Sequence, residues 1–508
     1  MLNQNNPFET GSGSDRITNI RNIGLILTVI IISAWLISKM GIVGAVALLL
    51  LPVVSVFFFL LFRYPILGLY SALIYSFFVL GIGKYISGVQ FGIFMDGILI
   101  LTYIALIFNK FEERVNWSPV IRDITLLSTL WFAYILLQLV NPEAKSMAAW
   151  TTGRGFGLYI FLIIPLTLLF IDSNKKLDTL LIIWATLSLL ATIKGIIQIR
   201  FGADQWEQAW LNEGNFKTHV LYGKLRAFSF MSDAGQFGAN QGYSAVMALI
   251  VASAQKNIRR KIFFIVVGAF ALYGLVISGT RGALAVPVVG FATFFVMRKN
   301  KWIMFSGFIA LVVVFVFFKY TSIGQGNANI RRMRTAFDPN DASLQVRLAN
   351  QRILKSYMAS RPFGGGLGHG GVKAQRFLPN AFLSQVPTDS GYVLVWVELG
   401  VVGLALHLFM LFYVLIKGSF RIMFRIRDPD LKIKMAALAS GMAGIVVANY
   451  GNSVFSQMPT FMLMSITMAL LMNSDVLDSA EPGLNVLNKG EEKIELIGTE
   501  AAKAISEY

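Results

Sequence analysis

Residues 302–318 read WIMFSGFIALVVVFVFF, an unbroken apolar run of the length an α-helix needs to cross a bilayer, about 17–25 residues. Runs of the same kind occupy 23–40, 41–62, 262–278 and 391–416. Working outward from 302–318, about 14 candidate spans emerge: 20–40, 41–62, 65–82, 91–108, 122–140, 156–171, 177–198, 234–254, 261–278, 282–297, 302–318, 391–416, 434–451 and 455–473. The whole chain has 508 residues, 56% hydrophobic and 14% charged, where a soluble chain carries about 25% charged residues. The expected fold is therefore all-α: a polytopic integral membrane protein with about 12–14 transmembrane helices and one large extracytoplasmic helical loop.

The loops between spans separate by charge. One set is short and basic, with Arg16, Arg21, Arg63, Lys110, Arg122, Lys175, Lys176, Arg259, Arg260, Arg298, Lys299, Lys301 and the stretch 417–434. Short basic loops stay in the cytoplasm, so both termini are expected there. The other set, 140–155, 199–233, 279–282, 319–390 and 450–458, then faces outward. The expected organisation is a disordered tail at 1–19, spans at 20–318 with an outward loop at 199–233, the large loop at 319–390, further spans at 391–473, and a cytoplasmic tail at 474–508. The net charge of +17 follows largely from these orienting loops and implies no nucleic-acid partner. With no cysteine in the chain, disulfides and thiolate chemistry are excluded.

Segment 319–390 is too long for its charge to be explained by orientation. It holds seven arginines, Arg331, Arg332, Arg334, Arg347, Arg352, Arg361 and Arg376, against three lysines. A planar guanidinium grips phosphate through two parallel hydrogen bonds, so an outward arginine cluster suits a lipid-linked phosphate or diphosphate. Residues 341–360 read as an amphipathic helix, capped by Asp341 or Ser343 and ended at Arg361-Pro362. The following run, Gly364-Gly365-Gly366-Leu367-Gly368-His369-Gly370-Gly371, permits tight turns and close approach of backbone to a ligand. No strand precedes it and its spacing is not that of a dinucleotide loop. A P-loop is also lacking, and no cofactor is expected.

Ionisable groups near the outer ends of spans are candidates for function, because burying them in a membrane is expensive. They are Asp96, Arg154, Arg226, Asp233, Arg281, Asp389 and Glu398; snorkelling or local ion pairing is the competing reading for Asp96, Arg154 and Glu398. Arg281, in Ser278-Gly279-Thr280-Arg281-Gly282, lies in a link too short to leave the membrane surface. For acid–base work, Asp389 at the mouth of a span and His369 among its glycines are the candidates, with a helix N-cap as the other role for Asp389. His219 lies in an outward loop, and His407 lies within a span, packed or hydrogen-bonded between helices. Asp338-Pro339-Asn340-Asp341 and Asp428-Pro429-Asp430 read as turns, and no metal site is expected.

Three blocks give the chain a family likeness: Arg226-Ala227-Phe228-Ser229-Phe230 with Gly238-Ala239-Asn240; Ser278-Gly279-Thr280-Arg281-Gly282-Ala283; and the large loop with Ser343, Arg347, Arg361-Pro362-Phe363-Gly364, Gly366-Leu367-Gly368, Asp389-Ser390-Gly391-Tyr392 and Glu398-Leu399-Gly400. Over about residues 220–410 the chain resembles the O-antigen ligase/polymerase superfamily of bacterial surface-polysaccharide enzymes. The resemblance implies a metal-independent, inverting glycosyl transfer on the outer face of the cytoplasmic membrane, from a polyprenyl-pyrophosphate-linked glycan donor to a glycan acceptor. It assigns the pyrophosphate to Arg226 and Arg281, with Arg347 beside them. Arg154, Arg352, Arg361, Asp96 and Glu398 are secondary candidates. Ligases of the family carry a histidine where this chain has Asp389 or its neighbours, so the departure suggests a polymerase of repeat units, with ligation to lipid A-core or another acceptor as the alternative. The bilayer and a chain-length regulator or export proteins are the implied partners. A lipid-linked oligosaccharide flippase is the rival from another class. It calls for internal repeats and charges near the bilayer midplane, whereas no repeat is evident here and the charges gather at the outer boundary.

Overall fold

The computed structural model describes residues 13–86, 89–109, 115–221, 223–326, 328–335 and 342–479. Two units divide the chain, 1–67 with 104–113 and 68–103 with 114–508. The first contains α1 (Gly13–Met40) packed on α2 (Ile42–Arg63). Helix α1 starts inside the segment expected to be a polar tail, because the sequence from Ser14 onward joins the apolar run without a breaker. The next helices are α3 (Ile66–Tyr85), α4 (Gly92–Asn109), α5 (Asp123–Leu137), α6 (Met147–Gly153), α7 (Gly155–Phe170), α8 (Asn174–Phe201), α9 (Gln205–Trp210) and α10 (Phe216–His219). A two-rung hairpin at 220–225 leads into α11 (Ala234–Ala254), α12 (Ile258–Ser278), α13 (Ala285–Met297) and α14 (Lys301–Tyr320). The large loop folds as α15 (Ala328–Arg334), α16 (Ala342–Met358), a 3-10 turn at Val372–Arg376 and α17 (Phe382–Gln385). Last come α18 (Gly391–Phe424), α19 (Pro429–Gly451), α20 (Thr460–Met472) and α21 (Ser474–Ser479).

Among the described residues nine helices are long and apolar enough to cross a membrane, and four shorter apolar helices accompany them. The chain is an all-α, multi-pass membrane protein. A helix closes all its backbone hydrogen bonds within itself, which is what a segment in lipid requires. Helix α11 fills the place of an expected span but is rich in polar side chains. It is sheathed by its neighbours, and they meet its polar groups: Gln241 accepts from Ser188 at 2.8 Å and Thr192 at 3.1 Å, Ser244 accepts from the Trp184 indole at 2.8 Å, and Gln236 donates to Thr460 at 2.8 Å. Small residues bring the backbones close, as membrane packing favours. Gly238 lies against Ser278 and Ala283, and Gly444 lies against the backbone of Val286.

The charged ends of the helices gather by sign. At one end Arg122 and Arg421 converge on Asp475 of α21 and on the Met472 carbonyl, Lys417 pairs with Asp123, and buried Lys434 bridges Asp178 and Asp430 at 2.5 Å each. Residues 474–479 are thus a docked helix where a loose tail was expected; the rest of that tail lies outside the described residues. Asp428 accepts from the amides of Asp430 and Leu431 and caps α19, a helix start in place of the expected turn. The opposite helix ends carry Arg226, Arg281 and Asp389.

Helix α18 breaks at Gly400, whose φ is +70°. The break frees carbonyls, and the large loop meets them. Gly365 and Gly366 donate to the Val397 and Glu398 carbonyls at 2.8 and 3.0 Å, Tyr134 donates to the Leu399 carbonyl at 2.6 Å, and Val402 donates back to Pro362 at 3.3 Å. The glycine run, expected to approach a ligand, instead approaches helix backbone: a side chain at Gly364 would meet the Glu398 carbonyl at 2.4 Å, and one at Gly400 the Pro362 oxygen at 1.9 Å. Gly400→Ala is therefore expected to destabilise the protein by about 2–4 kcal/mol from the left-handed backbone and the clash together. Thermal unfolding of the detergent-solubilised protein checks this; a variant as stable as the wild type would refute the joint.

Candidate functional site

Arg226 emerges from the hairpin and is tied down at three points. Its Nε donates to the Ser278 carbonyl at 2.9 Å, and its Nη1 and Nη2 donate to the Thr218 carbonyl at 2.7 Å and Thr280 Oγ1 at 2.8 Å. Ser278 is the last residue of α12, whose C-terminal carbonyls lack helical partners. Gly279 follows at φ +58°, the left-handed stop common at helix ends. The chain then turns through Arg281 into a 3-10 turn that starts α13. Arg226 thus fixes the short link that presents Arg281, and Arg281 donates through Nη1 to Thr335 Oγ1 at 2.9 Å, reaching the end of α15.

Arg226, Arg281, Arg332 and Arg347 line one cavity of about 570 Å³. Thr280, Thr335 and Asn452 complete its polar end. The other wall is apolar, with Leu284, Val288 and Val289 from the start of α13 facing Leu311, Val314, Phe315 and Phe318 from the last turns of α14. Farther along, the two helices touch where Gly307 meets the Phe295 ring, so the cavity is the space between helices that splay toward the arginine end. Burial, and the nearby charges of Arg332 and Arg281, push the Arg226 guanidinium down to about 10, against the pull of Asp233. Mutual repulsion of this kind is relieved by a bound anion.

Asp389 lies two residues before α18, and its carboxylate faces Arg347 Nε at 3.8 Å. The N-cap of α18 is Ser390, with no side-chain capping bond. The capping role weighed for Asp389 is therefore not what the structure shows. Its φ of +33° is a left-handed conformation that aspartate tolerates better than most residues, and left-handed non-glycine backbone is enriched at functional sites.

His369 does not join this group, and its geometry leaves no free proton acceptor. Nε2 accepts from the amides of Lys145 and Ser146 at 3.0 and 3.1 Å, and Nδ1 bonds the Leu367 carbonyl at 2.9 Å. Nε2 thus ties the glycine run to the start of α6, and Nδ1 closes a turn within the run. Arg154 pairs with Asp96, the local ion pair weighed for both. Arg361 pairs with Glu143 at 3.3 Å and lies 3.9 Å over the Tyr357 ring. Glu398 accepts from the Gly370 amide at 3.2 Å, and Arg352 is exposed on α16 away from the cavity. His219 is buried between Trp210 and Phe228. His407 is packed among Trp131, Phe156 and Phe455 with neither ring nitrogen hydrogen-bonded. Residues 338–341 lie outside the described residues. Among those described, no three His, Asp or Glu side chains converge as metal ligands.

Sequence reasoning did not single out Arg332. It sits in Arg331-Arg332-Met333-Arg334. The structure buries Met333 fully on α15 and sets Arg332 on the cavity. Thr280, Thr335 and Asn452 carried no distinguishing signal.

Residues 264–408 match the family model described as O-Antigen ligase. The match supports the O-antigen ligase/polymerase superfamily and a glycosyltransferase-like function in surface-polysaccharide assembly. It runs from α12 into α18 and so contains Arg281, Arg332, Arg347 and Asp389; Arg226 reaches the same cavity from outside it. No curated protein matches the chain.

The role found for His369 has a pH signature. Burial holds its pKa below the ordinary 6.5, and the hydrogen bonds to Leu367 and Gly366 oppose this only in part. On acidification the unfolded chain takes up the proton first. The stability contributed by the neutral ring is therefore complete above about pH 6.5 and is lost as pH falls below it. His369→Asn should unfold more readily than wild type at pH 8 and lose less stability between pH 7 and pH 5. Denaturation midpoints across that range decide it, and an equal acid sensitivity in both proteins would contradict the assignment.

Proposed function

We propose that the protein transfers a glycan from a polyprenyl-pyrophosphate carrier to a glycan acceptor, polymerising repeat units on the outer face of the bacterial cytoplasmic membrane, with both termini on the cytoplasmic side. One observation carries the reading: four arginines stand at the polar end of a cavity whose other wall is apolar and lies between two membrane helices. A diphosphate on a prenyl chain has that same division of charge and grease. Nucleotide sugars and ATP are absent outside the cytoplasm, so a reaction there needs a donor activated beforehand.

In this reading Arg226, Arg281, Arg332 and Arg347 hold the diphosphate, and the prenyl chain lies between α13 and α14. The acceptor hydroxyl oxygen bonds to the anomeric carbon as the bond from that carbon to the diphosphate oxygen breaks. The electron pair leaves with the lipid diphosphate, and the hydroxyl proton passes to Asp389. A single displacement inverts the anomeric centre. The guanidinium groups stabilise charge growing on the leaving oxygen, in place before the reaction begins, and supply the neutralisation for which other transferases use a divalent cation. Ligases of the superfamily carry histidine where this chain has Asp389 or its neighbours, a departure that supports polymerisation, with a ligase using a different base as the alternative.

Arg281→Ala and Arg226→Ala should each lower polymer formation by roughly 10²-fold or more while the protein still inserts in the membrane. Arg352→Ala, a change on an exposed surface away from the cavity, should stay within about twofold of wild type. Normal polymer yield in both cavity variants would overturn the site. Purified protein given a lipid-diphosphate oligosaccharide as sole substrate should extend it. Growth that begins only when a second, different acceptor is added would identify a ligase.

A further inference from the structure

The ion pair between Arg347 and Asp389 joins the group proposed to hold the donor to the group proposed to take the acceptor's proton. Arg347 is well placed to choose between two anions. The C-terminal half of α16 is clamped to α18 by Leu354 and Met358 in an apolar cluster with Val397, and its N-terminal half brings Arg347 over the cavity. Asp389 is fixed from the other side, since the next residue but one, Gly391, is pressed against the Asn449 side chain. Between these two fixed supports the charged atoms stand 3.8 Å apart, with side chains 30% and 42% exposed. That is longer than a charge-assisted hydrogen bond, about 2.7–2.9 Å, and water screens it.

We propose that this pair is a latch released by the donor, an inference that rests on the lipid-diphosphate reading above. In the structure Arg347 engages the Asp389 carboxylate. An entering diphosphate offers the guanidinium two parallel hydrogen bonds and a larger charge, and takes Arg347 away from Asp389. The carboxylate, relieved of its cationic partner, becomes the stronger proton acceptor at the moment the donor is seated. The reaction is then ordered, donor before acceptor, and Asp389 competes with the donor for Arg347 in the resting enzyme.

The competition makes an unusual forecast: removing the proposed base should tighten donor binding. Farnesyl diphosphate titrated into the detergent-solubilised full-length protein, by calorimetry at fixed low salt, is the probe. Asp389→Asn and Asp389→Gly, both suited to a left-handed backbone, should each bind it roughly two- to fivefold more tightly than wild type, the range expected on losing a weak, half-exposed ion pair. Arg347→Ala should bind it more weakly, and adding Asp389→Asn to Arg347→Ala should change nothing further. In turnover, Asp389→Asn should lower kcat and the donor KM together. Unchanged or weaker binding in both Asp389 variants, with wild type binding normally, would overturn the latch alone. Failure of wild type to bind the diphosphate would overturn the underlying reading and the latch with it.

Discussion

Like charges repel, and this protein holds four guanidinium groups around one cavity; much of the surrounding structure is what makes that tolerable. Arg226 is the keystone. Its three hydrogen bonds use the positive charge to satisfy the Ser278 carbonyl at the end of α12, where helix geometry leaves acceptors unmet, together with the Thr218 carbonyl of α10 and the Thr280 hydroxyl. In doing so it fixes the link that carries Arg281. Thr280 in turn donates to the Ala234 carbonyl at 2.8 Å, so the arrangement is referred to α11, the polar helix sheathed by the rest of the bundle. The charged cluster is here held by a deeply packed helix.

The large loop is anchored by a second device, the break in α18. A membrane helix interrupted at Gly400 exposes carbonyls that lipid cannot satisfy. The glycine run meets them with its own amides, and His369 ties the same run to the chain before α6. The loop's second half is therefore part of the bundle, and this fixed base lets α16 project Arg347 over the cavity. The opening between α13 and α14 is likewise a matter of side-chain size: contact at Gly307 at one end, bulk at Phe315 and Phe318 at the other.

Much of this was legible in the sequence. Apolar runs of spanning length are properties of single segments, and they anticipated the helices. The fixed position of Arg281 could be read because glycines bound a link too short to leave the membrane surface. What stayed hidden depended on distant partners. His369 looked free among glycines because nothing local shows that the amides of Lys145 and Ser146 arrive at its ring. Arg361 stood as a secondary candidate because nothing local shows that Glu143 pairs with it. Arg332 could not be told from Arg331 and Arg334, since only the packing of Met333 decides which of the three turns to the cavity. The glycine run was rightly seen as a place of close approach, but the object approached was a broken helix.

The central claim is that the arginine-lined cavity receives a lipid diphosphate, head among the guanidinium groups and tail between α13 and α14. A cryo-electron microscopy map of the protein bound to glycan-free polyprenyl diphosphate tests it most directly. The account predicts density for two phosphates within hydrogen-bonding distance of Arg226, Arg281, Arg332 and Arg347, continuing as a chain past Val288 and Val314. Diphosphate density elsewhere, with these four arginines unengaged, would contradict it.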